Sequence, residues 1–124
     1  MTVTKVRDQG QKLKYPKGKL LGIVDTRADV DRLASALHEA GFAKIDALFG
    51  KEGIALLKRI GTFFFSDMEG RVINRHIKEL KAGHVIVAIA APRNRVKEAV
   101  RVASQHGARR LVHFGRLTIT WYTK

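Results

Sequence analysis

Cysteine is absent from this chain of 124 residues, which excludes a disulfide framework, a thiol nucleophile and a Cys-based zinc site and suits a reducing compartment such as the cytoplasm. No apolar run approaches the roughly 20 residues needed to cross a bilayer, and the opening stretch MTVTKVRDQGQKLKYPKGK lacks the apolar core of a signal peptide, so no membrane partner is expected. Acidic side chains are scarce: 11 Asp and Glu stand against 24 Lys and Arg, for a formal net charge of +13. Hydrophobic residues, at 45%, are plentiful enough to rule out a disordered polyelectrolyte. The length fits one domain able to bury about two-thirds of its unfolded surface.

Residues 1–19 differ from the rest. Lys5, Arg7, Lys12, Lys14, Lys17 and Lys19 face only Asp8, giving +5, and Gly10, Pro16 and Gly18 punctuate the stretch. It reads as a flexible basic arm with a short strand around Val3 to Arg7. Residues 20–124 form the domain and carry +8 themselves.

Leu20 to Val24 is a continuous apolar run and predicts a strand. Thr26 then caps a helix whose first turn holds Asp29 and Asp31, and Val30, Leu33, Ala34, Leu37 and Ala40 recur at helical spacing until Gly41. Lys44 to Phe49 is a second strand. The plan then repeats. His84 to Ala91 is the strongest strand pattern, and Pro92 ends it. Asn94 is a candidate cap for a helix with Val96, Ala99, Val100 and Ala103 on its apolar face, closed at Gly107, and Arg109 to Phe114 is the returning strand. A shift of 66 positions superposes Ile23 on Ile89, Val30 on Val96, Gly41 on Gly107, Ile45 on Leu111 and Leu48 on Phe114. Two tandem strand–helix–strand units are what a ferredoxin-like sandwich of the α+β class requires.

Residues 50–83 are too long for a hairpin between the units. Ile54, Leu56, Leu57 and Ile60, then Val72, Ile73, His76, Ile77 and Leu80, follow helical spacing, with Phe63, Phe64 and Phe65 between them, so a two-helix insertion is expected. The central strands are apolar at odd and even positions alike. Both sheet faces must therefore be covered, one by the repeat helices and the other by the inserted helices or a second subunit. In the tail, Leu117, Ile119 and Trp121 alternate with Thr118, Thr120 and Tyr122. This predicts an extra C-terminal strand with one buried face, able to complete its own sheet or pair with a second copy in a homodimer.

The stretches GIVDTRADVDRLASALHEAGF, IDALFGKEGIALL, KELKAGHVIVAIAAP and AVRVASQHGARRLVHFGR resemble the bacterial heat-induced or general stress protein family of small domains. The likeness runs over about residues 20–116 and is carried by Gly22 to Asp25 in the first strand and Ala40 to Phe42 after the first helix. It implies a ferredoxin-like α+β domain with a non-enzymatic stress or regulatory role, and brings no catalytic residues with it.

Signs of catalysis are missing. His38, His76, His84, His106 and His113 show none of the spacings that bring two imidazoles onto one metal. His38 and His106 sit where an imidazolium meets a helix C-terminus, and the others fit structural positions. Asp25, Asp29 and Asp31 are accounted for by helix-start chemistry, while Asp46, Glu52, Asp67 and Glu69 are scattered near loops. Ser35, Ser66 and Ser104 lie in no nucleophile elbow. No enzyme activity, cofactor or metal is expected. Gly50, Lys51 and Gly53 open a helix after a strand and suggest a small anion site, although they match neither the P-loop nor the dinucleotide pattern and turn chemistry explains them too.

The cations carry the functional signal. Arg93, Lys97 and Arg101 repeat every four residues along one helix face, and Arg109 and Arg110 open the next strand. With Lys12, Lys14, Lys17 and Lys19 of the arm they make a surface suited to phosphate backbones. Its ordinary explanation is a solubilising face. The central strands carry no aromatics, so base stacking on the sheet is not expected, and binding should be electrostatic and weakly sequence-selective. The sequence thus points to a non-catalytic regulatory protein for a polyanion, RNA or DNA. The alternatives are a small-molecule or nucleotide sensor with its site at a subunit interface, and an enzyme of the dimeric α+β barrel type using His84 or His113 as base.

Overall fold

The computed structural model describes residues 6–7, 18–61, 67–115 and 119–122. Among them the chain order is β1 (Val6–Arg7), β2 (Lys19–Val24), α1 (Arg27–Glu39), β3 (Ile45–Leu48), α2 (Gly50–Gly61), α3 (Asp67–Lys81), β4 (Val85–Ala90), a 3-10 turn (Arg93–Arg95), α4 (Val96–Gln105), β5 (Arg109–Phe114) and β6 (Ile119–Trp121). The fold is mixed α/β. One sheet runs β1-β3-β4-β2-β5-β6, antiparallel throughout except for β1, which pairs parallel with β3 through Val6–Ile45 and Arg7–Asp46. No helix among the described residues is long and apolar enough to cross a membrane.

Alternation along the central strands builds two cores. Leu20, Val24, Ile45, Val85, Val87, Ile89 and Leu111 point to one face, where Val30, Leu33 and Leu37 of α1 and Val96, Ala99 and Ala103 of α4 pack on them. Leu21, Ile23, Leu48, Ile86, Ala88, Val112 and Phe114 point to the other, under Leu56 and Leu57 of α2 and Val72, Ile73, Ile77 and Leu80 of α3. The insertion therefore covers the second face, as strands apolar on both sides demand. Gly22 lets the first layer close: a Cβ there would lie 2.6 Å from Leu111 Cδ2.

Local chemistry sets the ends of α1. The Thr26 hydroxyl accepts from the Asp29 amide at 3.2 Å and the Asp29 carboxylate accepts from the Thr26 amide at 3.2 Å, a reciprocal capping box. The hydrogen bond from the Thr26 hydroxyl holds the Asp29 carboxyl below its ordinary value, and Arg32 adds an ion pair. Gly41, at φ +97°, follows the helix.

Several expectations are corrected. Asn94 is not a cap: it lies inside the 3-10 turn, and α4 starts at Val96 with no side-chain cap. Val102, rather than Val100, is buried, because the two residues edge the apolar stripe on opposite sides and Val100 is left half-buried at its rim. Asp46 lies within β3, not near a loop, and is 2% exposed. Trp121 was expected on the buried side of the last strand. It pairs with Val112, yet remains 44% exposed, beyond the cover that α2 and α3 give the sheet. Phe63, Phe64 and Phe65 lie outside the described residues.

Candidate functional site: a cationic helix face and the cleft beside it

The exposed face of α4 and the turn before it gather three cations, although Arg93 lies outside the helix and so does not share the expected helical stripe. Arg93, in the turn preceding the helix, and Lys97 and Arg101, within it, are all exposed. At 100° per residue, Arg101 points almost directly away from the stripe of Val96, Ala99 and Ala103. Glu98 is the acidic residue of the helix, and it is committed to Arg95: Nε and Nη2 of Arg95 donate to its carboxylate at 3.0 and 2.8 Å. Arg93, Lys97 and Arg101 have no acidic partner among the described residues.

Arg95 itself is structural. Its guanidinium lies 4.2 Å from the centre of the Phe42 ring and also donates to the Ala40 carbonyl at the end of α1, tying α4 to the C-terminus of α1. Its ion pair with Glu98 is local, but its contacts with Phe42 and with Ala40, 55 residues away in the chain, could not be read from spacing.

The remaining sequence-predicted residues scatter. Arg109 does not join the α4 face. It donates to Asp25 at 2.6 Å and lies 3.5 Å from Glu79, and His84 Nδ1 is 2.7 Å from the same Glu79 carboxylate. Asp25, Glu79, His84 and Arg109 thus form one ion-pair group where β2 ends and β4 and β5 begin, so Asp25 serves this group rather than the helix start. Arg110 is also placed elsewhere. It occupies a β-bulge at φ +53° in β5, where the pairing with β2 slips between Leu21 and Ile23, rather than lying on α4. Lys19 is the first residue of β2 and half-buried, rather than part of a loose tether. Lys12, Lys14 and Lys17 lie outside the described residues.

The anion site at Gly50, Lys51 and Gly53 is not formed as expected. Gly53 is buried and its amide is already committed to the Phe49 carbonyl at 3.1 Å, within the first turn of α2. Gly50 is at φ +63°, so backbone conformation accounts for that glycine.

A feature with no signature in the sequence lies next to Arg93. A cleft of about 1110 Å³ opens between the loop after α1, the turn before α4 and the ends of β5 and β6. Phe42 and Pro92 contribute to a largely apolar wall, and Lys44, Arg93, His113 and Tyr122 supply polar groups. Lys44 is exposed, and its ammonium group has no partner among the described residues. His113 hydrogen-bonds to the Ala91 backbone through one ring nitrogen, while its Nε2 is buried with no partner. The Ala91 amide already donates to the Gly18 carbonyl at 3.3 Å, so His113 Nδ1–H donates to the Ala91 carbonyl, and Nε2 carries the lone pair. Burial lowers the His113 pKa, which keeps this tautomer neutral near pH 7. These residues come from four separated stretches, so no local spacing could have announced them.

Among the described residues no group of three or more His, Asp or Glu is arranged to hold a metal ion. Compared with known proteins, the chain matches no family model, no curated protein and no solved structure. The reading of function therefore rests on the chemistry of the α4 face and the adjoining cleft.

Proposed function

We propose that this protein is a non-catalytic, cytoplasmic regulatory protein that binds a polyanion, nucleic acid with little sequence selectivity, through the outer face of α4. The observation that carries the reading is the run of Arg93, Lys97 and Arg101: exposed and without acidic partners, in a molecule whose Arg95 and Arg109 are both ion-paired. Uncompensated cations, Lys97 and Arg101 one turn apart on α4 with Arg93 in the 3-10 turn before it, suit the repeating charge of a phosphate backbone and supply no base-specific contact. The net charge of +13 adds long-range attraction. The resemblance of residues 20–116 to heat-induced and general stress proteins supports a stress-associated role.

The fold is read as an elaborated ferredoxin-like sandwich. In support, the strands of the two strand–helix–strand units lie together as β3-β4-β2-β5, with α1 and α4 packed on one face. The flanking β1 and β6 and the α2–α3 layer are then additions to it. A homodimer is part of the proposal, supported by the edge position of β6 and its 44% exposed Trp121. Sedimentation equilibrium tests this, a monomer at all concentrations being the contrary result.

The deciding experiment is a salt titration of labelled single-stranded and duplex oligonucleotides. Three phosphate contacts predict a slope of log K against log salt of about −2 to −3, and the triple variant Arg93→Glu, Lys97→Glu, Arg101→Glu should remove most of it. Micromolar or weaker binding at about 50 mM salt, or a flat salt response, would end the reading.

A further inference from the structure

We propose that the cleft beside Arg93 binds a nucleotide: a phosphate ester carrying a planar heterocycle, either free or at the end of a strand. The proposal deepens the polyanion reading, since Arg93 belongs to both surfaces. Its own support is independent of α4's outer face.

The cleft, at about 1110 Å³, is large enough for a drug-sized or nucleotide-sized molecule. Its walls are mainly apolar, which suits a ring and does not suit a bare phosphate chain. Lys44 comes from the strand-entry loop after α1 and Arg93 from the turn before α4. Both line the same space, and neither has an acidic partner among the described residues. An anionic group is the chemistry that would neutralise them, and a charge-assisted contact there is stronger than a neutral one. Arg95 also lines the cleft, but Glu98 already compensates its charge.

His113 lines the same cleft. Its Nδ1–H is given to the Ala91 carbonyl, so Nε2 is an acceptor, buried and without a donor. A polar atom so placed lacks a hydrogen bond that water would otherwise provide. An aromatic ring fills the apolar wall, which inorganic phosphate cannot do. Tyr122, 36% exposed at the same cleft, gives an aromatic surface beside it.

Calorimetric titration of the full chain with adenosine 5′-monophosphate, adenosine and inorganic phosphate tests this. The monophosphate should bind at least about tenfold more tightly than either fragment and raise the melting temperature. Lys44→Ala and Arg93→Ala should each weaken it at least about tenfold, whereas Lys78→Ala, the same loss of charge on α3, should not. The exposed Lys44 is the decisive position. A short 5′-phosphorylated single strand that competes with the monophosphate identifies a strand end as the source of the nucleotide, and one that does not compete identifies a free nucleotide. Equal affinity for monophosphate and inorganic phosphate, or binding indifferent to Lys44→Ala and Arg93→Ala, overturns the proposal. Oligonucleotide binding without any monophosphate binding removes the cleft site and leaves the α4 reading standing. Monophosphate binding without oligonucleotide binding does the reverse.

Discussion

Arg110 holds a backbone conformation, φ +53°, that a side chain with a Cβ adopts at some energetic cost. It sits in the bulge where β5 slips against β2, a position that glycine fills without penalty. Arg110→Gly should therefore raise stability by up to about 1 kcal/mol, read from the urea midpoint. His76 presents the opposite case. It is fully buried in the α3 layer, its Nδ1 is 2.7 Å from the Val72 carbonyl, and its Nε2 has no partner. Burial lowers its pKa below 6.5, against the Val72 carbonyl and Glu79, which favour the charged form, while Arg75 and Arg110 oppose it. An unfolded His takes up its proton at about pH 6.5, before the folded one does, so stability is complete above that pH and falls as the pH drops below it. His113, lowered by burial as well, adds in the same direction. Urea midpoints should fall from about pH 7 to about pH 5, and His76→Leu should flatten part of that fall.

At the scale of elements, helix and strand periodicity were legible because each rests on residues within one or two turns of each other. Thr26 with Asp29, and the buried run of β4, are examples. What periodicity missed at Asn94 shows the limit: Pro92 and the 3-10 turn consume the residues before Val96, so the helix begins without a side-chain cap. That end is held instead by Arg95, which joins Glu98, the Phe42 ring and the Ala40 carbonyl. Arg95→Met keeps the aliphatic stem and removes all three contacts. It should destabilise the protein by about 1–3 kcal/mol, measured by thermal and urea unfolding.

For the molecule as a whole, the question is which cations are free. A sequence places Arg109 in the same basic segment as Arg93, Lys97 and Arg101, but folding brings it to Asp25 and Glu79 at the far ends of β2 and α3. Arg109→Ala should therefore leave oligonucleotide affinity within about twofold while Arg101→Glu weakens it and reduces the salt slope, measured by anisotropy titration. The excess of charge was visible in composition. Its distribution was not, because the ion pairs that take Arg109 out of the basic surface join residues tens of positions apart.

By itself the sequence determined the strands apolar on both faces, the two strand–helix–strand units, the helical insertion and the surplus of cations, because each follows from local spacing or from counting. Only the tertiary structure decided that Arg109 is neutralised by Asp25 and Glu79, that Arg95 ties α4 to the end of α1, that Arg110 sits in a bulge, that Trp121 stays exposed, and that Lys44, His113 and Tyr122 meet Arg93 at one cleft. Those outcomes depend on strand order and on which helices cover each face, and both are settled by packing the whole chain at once.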